Sequence, residues 1–320
     1  MTPNWSRRAL VLHLAVIAVL FGLQFLLPTY DHTNMTRIMV LASYAMGYNL
    51  LVGYTGLMSL GHAMFFAAGL YGAGLTAQYL GFGPAPGLAA GVLAGLALAT
   101  AVGLVALRTA GASFMIVTLM LGQACFLLTL YFNDVTRGDE GFVLAKSAQR
   151  LSLDGLSIDL TQPAARYNLA LLLFAVCLLG CLALVRSGVG RVLVAVRENE
   201  ERTTMLGYHT FRYKLLALVL SGIMASAAGA VYGLLFSYVG STFASIQYSI
   251  FPLLWVLLGG QGTVLGPLVG TALMFYAVDI SSEYTSSYML VVGFALILLV
   301  LWFPKGILGT LRQKWAPWLP

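Results

Sequence analysis

From end to end the chain is a succession of apolar runs separated by short polar breaks. Many runs approach or exceed the ~18 residues that a helix needs to cross a bilayer. No segment is left that could build a separate soluble core. A segment in lipid must satisfy its own backbone hydrogen bonds, and these runs are too long for membrane-barrel strands, so they are expected to be helices. With only 9% of its residues charged, the chain lies far below the roughly one quarter usual in soluble domains. The expected fold class is all-α, a polytopic integral membrane protein forming one domain over residues 1–320.

About ten spans are expected: Ala9–Leu27, Ile38–Val52, His62–Leu80, Pro86–Leu107, Ser113–Phe132, Tyr167–Val185, Leu215–Tyr238, Ile246–Leu258, Leu265–Ile280 and Tyr288–Phe303. The first follows Arg7 and Arg8 as a signal peptide would. It is long for such a segment, however, and lacks a small-residue cleavage site, so it is read as the first span.

Charge then orients the chain. With the N-terminus in the cytosol, the inner segments collect twelve of the seventeen basic residues and three acids, a net of +9. The outer segments hold Arg37, Arg137, Lys146, Arg150 and Arg166 with eight acids, Asp154 among them, a net of −3. The positive-inside rule places both termini in the cytosol on this count. The high pI therefore reports orientation and not nucleic-acid binding.

Residues 190–214 form a charged island in this apolar sequence. Val192, Val196, Asn199, Thr203 and Leu206 recur at helical spacing, so one amphipathic helix is expected over Arg191–Leu206. Glu198 and Arg202 stand four apart in the favourable order for an ion pair, and Gly207 is placed to cap the end. The helix suits a soluble cytosolic partner. An anionic membrane surface would repel Glu198, Glu200 and Glu201, and a plain solvated loop would not show such periodicity.

Two glycine-rich breaks interrupt apolar stretches, at Gly53–His62 and at Gly259–Pro267. Free backbone groups at membrane depth are tolerated only beside protein or a water-filled cavity, and transporters use such ends to hold polar solutes. Tyr54, Thr55, Ser59, His62, Gln261 and Thr263 are candidate path residues on this argument. Tight interhelical turns are the alternative. Gly91–Gly95, Gly229–Gly233 and Gly266–Gly270 are small-residue pairs suited to close helix packing. His62 has no intramembrane carboxylate to partner it in a proton relay. Cys125, Cys177 and Cys181 lie in apolar runs without ligand spacing and are read as packing residues.

Several stretches together resemble LivM-type permease subunits of branched-chain amino acid ATP-binding-cassette importers. They are residues 49–74 (NLLVGYTGLMSLGHAMFFAAGLYGAG), 111–122 (GASFMIVTLMLG), the 190–233 stretch beginning GRVLVAVRENEERTTMLGYHTFRYK, 257–273 (LLGGQGTVLGPLVGTAL) and 303–309 (FPKGILG). The resemblance covers most of the chain, in family order. It implies that the charged island is a coupling helix seated in a separate ATPase subunit. Glu201 and Gly207 match the family's Glu and the Gly six residues on, while Arg202 and Thr203 replace two alanines. Arg197, Glu198 and Asn199 complete the expected coupling surface. The resemblance also implies a single permease domain, a second related permease chain, two ATPase subunits carrying ATP and Mg, and a periplasmic solute-binding protein, all at the bacterial inner membrane.

No Walker A pattern is present, so this chain is expected to bind no ATP or other cofactor and to be no enzyme. Between residues 133 and 166 lies the longest polar connection, with Asp139 and Glu140 as candidate docking residues for the binding protein. Arg137 stands there where the resembled family keeps a glycine. An ion-coupled transporter or channel working alone is the alternative function. It would require ionisable residues inside the spans, and these are nearly absent.

Overall fold

A computed structural model describes residues 3–145, 149–153, 156–285 and 287–315. Lys146 and Asp154, counted above with the outer charges, lie outside the described residues. The chain is helical throughout: α1 (Pro3–Leu23), α2 (Thr29–Asn49), α3 (Ala63–Leu80), α4 (Pro84–Ala106), α5 (Ala112–Tyr131), α7 (Pro163–Arg186), α10 (Thr210–Phe236), α11 (Ile246–Gly259), α12 (Gly266–Tyr284) and α13 (Tyr288–Trp302). Each overlaps one of the positions expected from the apolar runs, though α2 begins at Thr29 where Ile38 was the expected start. Among the described residues four of them, α4, α5, α7 and α10, are long and apolar enough to cross a membrane by length and composition. Prolines at the first turns of α4, α7 and α12 fit positions where a helix has no use for the missing N–H.

The centre of the bundle is α2, which packs against α7, α10, α11 and α12. Its residues from Ile38 to Asn49 are all buried although several are polar, so it is sheathed by protein. Around it α3, α4 and α10 pack against one another through small residues. A Cβ at Gly229 would strike the backbone carbonyl of Phe66, one at Gly91 that of Gly69, and one at Gly270 that of Trp255. The small-residue pairs thus let backbones touch, as their spacing suggested. Cys177 and Cys181 are buried on α7, and all three cysteines are free.

The 133–166 connection departs from a purely helical reading. It forms a short helix α6 (Asn133–Thr136), a strand β1 (Phe142–Val143) and a hairpin of β2 (Arg150–Leu153) with β3 (Leu156–Asp159). After α10 the strand β4 (Tyr238–Val239) pairs antiparallel with β1. Gln149 adds bonds to the Leu234 carbonyl and the Ser237 hydroxyl. The loop is thereby clamped on the end of α10. Arg137 caps α6 in the left-handed region, φ 60°, a conformation that costs a non-glycine residue about 1 kcal/mol.

Gly229→Val should destabilise the folded chain by about 3 kcal/mol or more, read as a fall in the detergent-solubilised thermal midpoint. Gly180→Val, whose Cβ would meet nothing within 4 Å, should leave the midpoint unchanged. Arg137→Gly should raise it, by about 0.5–1 kcal/mol of stability; a fall would show that the arginine side chain outweighs its backbone strain.

Candidate functional site

At one end of the bundle, here called the basic end, the two glycine-rich breaks meet. The first starts where α2 passes into a π-helical turn, Leu50–Tyr54. The wider turn leaves the Gly53 carbonyl to a side-chain donor, and such turns are common at functional positions. Gln261 Nε2 donates to the Val52 carbonyl at 3.1 Å, and Arg197 Nη1 donates to the Gly53 carbonyl at 2.5 Å. Thr55 returns its hydroxyl to the Leu50 carbonyl at 3.0 Å.

Asn49 joins the breaks. Its side chain is buried, with Nδ2 donating to the Thr263 carbonyl at 2.9 Å and Oδ1 accepting from the Gly262 N–H at 3.0 Å. One amide thus serves the second break as a neighbouring peptide would. Gly260 and Gly262 lie at φ 126° and 71°, which only glycine adopts without strain. Thr263 Oγ1 donates to the Gly260 carbonyl at 2.7 Å. From the C-terminal helix α14 (Ile307–Lys314), Arg312 Nη1 donates to the Gly262 carbonyl at 3.0 Å. Both breaks therefore have a carbonyl held by an arginine from another element.

The far part of the first break is held equally closely. Tyr48 donates its hydroxyl to the Ser59 carbonyl at 2.8 Å, and Ser249 accepts from the Ala63 N–H at 2.9 Å. His62 is fully buried, stacked on Tyr44 and edged by Tyr48 and Phe65. Its Nε2 lies 3.3 Å from Ser221 Oγ, whose single proton goes to the Gly47 carbonyl at 2.5 Å. The imidazole is thus assigned as the donor in that pair. Of the six candidate path residues, Thr55, Ser59, His62 and Thr263 are buried in contacts of this kind. Tyr54, Gln261 and Thr263 also border open cavities.

The charged island differs from the single helix expected. It consists of α8 (Gly188–Glu198) and α9 (Glu200–Met205), separated by Asn199 in an extended conformation. Ser187 and Asn199 start the two helices, accepting from the N–H groups of Gly190 and Arg202. An asparagine amide competes well with the backbone, and here it restarts the helix instead of continuing it. Glu198 and Arg202 consequently do not pair along one helix; Glu198 takes Arg197 at 2.7 Å. Val192, Val196 and Thr203 are buried as their spacing indicates, whereas Asn199 and Leu206 are exposed. Gly207, at φ 88°, ends α9 with its own N–H on the Thr204 carbonyl and that of Tyr208 on Thr203. Buried Lys214 ties Glu200 to the start of α10 at 2.6 Å. Beyond this anchored root, Met205 and Leu206 project with 84% and 76% of their surfaces exposed, while Glu201 and Arg202 are exposed beside them.

At the opposite end Asp139 and Glu140 are exposed on the clamped loop. Asp139 accepts from the Ser241 hydroxyl at 2.8 Å, and Tyr238 reaches the Glu140 carbonyl. Among the described residues no cluster of His, Cys, Asp or Glu could hold a metal ion. Sequence reasoning missed Asn49, Arg312 and the Lys214–Glu200 pair. An asparagine inside an apolar run just before Gly53 was the one available signal; nothing local marks Arg312.

A bundle of apolar helices around a sheathed polar one, with two broken segments joined at one end, is the architecture of a polytopic helical membrane protein. Residues 33–301 match the family model for the branched-chain amino acid transport system / permease component, and the chain belongs to that family. It is 28% identical over 330 residues to the high-affinity branched-chain amino acid transport system permease protein LivM of Salmonella typhimurium, covering 97% of this chain and 76% of the relative. LivM of Escherichia coli K12 matches at the same identity and coverage over 338 residues. The high-affinity branched-chain amino acid transport system permease protein LivH of that strain is 28% identical over 288 residues, 84% of this chain and 91% of the relative. No solved structure matches significantly.

Asn49→Ala should leave the buried Gly262 N–H unpaired and the Thr263 carbonyl with only the Gly266 N–H, and cost about 1–3 kcal/mol. The check is the thermal midpoint together with proteolysis at the 259–267 break, which should be cut faster than in the unaltered chain.

Proposed function

We propose that the chain is a membrane-spanning subunit of an ATP-driven importer for branched-chain amino acids or related small polar solutes. It works with a second related permease chain, two ATPase subunits that carry ATP and Mg, and a periplasmic solute-binding protein. All ten helices at the expected positions cross the inner membrane in this reading, with both termini and the basic end in the cytosol. The charge asymmetry supports that orientation. Similarity to both LivM and LivH supports a pair of kindred permease chains.

The observation that carries the reading is the α8–α9 segment. Its tip offers exposed Met205 and Leu206 with Glu201 and Arg202 beside them, a mixed apolar and charged surface suited to a protein groove. Its root, through Arg197, grips the broken end of α2. A push on the tip by the ATPase is thereby passed to Gly53 and, through Asn49, to the second break. Glu198 and Asn199 set the elbow between root and tip, and Gly207 fixes the tip's length. Thr55, Ser59 and His62 hold the breaks that change shape during alternating access, while Tyr54, Gln261 and Thr263 stand where those breaks border open clefts. Asp139 and Glu140 meet the binding protein on the other side.

Glu201→Lys combined with Gly207→Leu should cut ATP-driven uptake in reconstituted vesicles by about tenfold or more, the size of effect expected when a buried interface charge is reversed. Assembly of the permease pair should persist. Full uptake that remains coupled to ATP hydrolysis would overturn the coupling role.

A further inference from the structure

Two neighbouring cavities open at the basic end, of about 470 Å³ and about 340 Å³. They share Arg197, Gly262 and Arg312 as walls. Lys305 adds a cation to the larger one, and Arg186 and Arg191 add two to the smaller. No carboxylate lines either. Among the described residues Arg186, Arg191 and Lys305 make no side-chain hydrogen bond or ion pair, and Arg312 has only its bond to the Gly262 carbonyl.

An excess of cations on one side of a membrane protein follows from orientation alone, but that excess would be spread over a solvated surface with the neighbouring acids mixed in. Here cations from four elements, α7, α8, the α13–α14 link and α14, line two adjoining open clefts that share Arg197 and Arg312. The neighbouring acids line neither cleft: Glu198 pairs with Arg197 and offsets that one guanidinium, and Glu200 pairs with Lys214. The remaining like charges gathered along a cleft focus a positive potential into it. Arginine forks match the oxygens of a phosphate group in geometry as well as charge.

We infer that this double cleft binds a phosphate-bearing anion between α8 and α14. The anion lies against the two guanidinium groups that hold the Gly53 and Gly262 carbonyls, so its occupancy governs how firmly both elements grip the glycine-rich breaks. A phospholipid headgroup and a soluble phosphate compound share the required chemistry. The assignment does not depend on the transport reading: full uptake after altering Glu201 and Gly207, which would overturn the coupling role, would leave it intact.

The test uses the full chain purified in neutral detergent at constant ionic strength, with the thermal midpoint followed during titration. Pyrophosphate and dihexanoyl phosphatidylglycerol are the probes, with dihexanoyl phosphatidylcholine and leucine as comparisons. Unaltered chain and Lys314→Gln, a basic residue outside both cavities, should show a saturable rise. Arg191→Gln with Lys305→Gln should need about tenfold more anion for half-saturation. Lys305→Gln alone, on an exposed turn, gives the same reading if the double variant folds poorly, with a smaller shift. A tighter response to the phosphatidylglycerol identifies a headgroup site; a tighter response to pyrophosphate identifies a soluble ligand. Equal half-saturation in altered and unaltered chains, or no saturable response to either anion, overturns the proposal. A response to leucine without one to the anions also overturns it and gives the cleft to the solute path.

Discussion

Backbone polar groups freed inside a bundle of apolar helices must find partners within the protein, and the arrangement of the basic end follows from that requirement. Two glycine-rich breaks release carbonyl and N–H groups at the same end. Asn49 bridges them with one amide, Gln261 reaches back from the second to the first, and Arg197 and Arg312 each hold a carbonyl. Each donor comes from a different element. The breaks are therefore the place where α2, α8, the start of α12 and α14 are tied together.

This tie explains why the α8–α9 segment is both exposed and firmly rooted. Its outer half has a helix cap, a terminating glycine and two apolar side chains in solvent. Its inner half buries Val192, Leu193 and Val196 and delivers Arg197 to the π-helical turn. In the proposed importer a soluble motor needs such a part, because a load applied at a flexible loop would dissipate before reaching the spans. The elbow at Asn199 is a consequence of side-chain chemistry, since its carboxamide caps α9 more readily than it continues α8.

The helices and their approximate ends were legible in the sequence because lipid allows few alternatives to a long apolar helix. The small-residue pairs were legible for the same reason, and Gly207 because few residues tolerate a positive φ at a helix end. The elbow at Asn199 was not, since helical periodicity runs straight through it and only local hydrogen bonding interrupts it. Nor was the ordered 133–166 connection, whose β1–β4 pair joins residues nearly a hundred positions apart. Among the candidate path residues, sequence could pick the polar side chains near the breaks but not separate Tyr54, Gln261 and Thr263, beside cavities, from Thr55, Ser59 and His62, which are spent on internal contacts.

By itself the sequence determined that this is an all-helical membrane permease of known kinship with a charged island between its spans. Hydrophobicity and the cost of unpaired backbone in lipid act locally, residue by residue, so they can be read along the chain. Tertiary structure alone decided which polar groups meet: Asn49 with Gly262, Arg197 with Gly53, Arg312 with Gly262, and the cations that gather around one cleft. Those pairings span up to 213 residues, and their formation depends on how the helices stack, which no local pattern records.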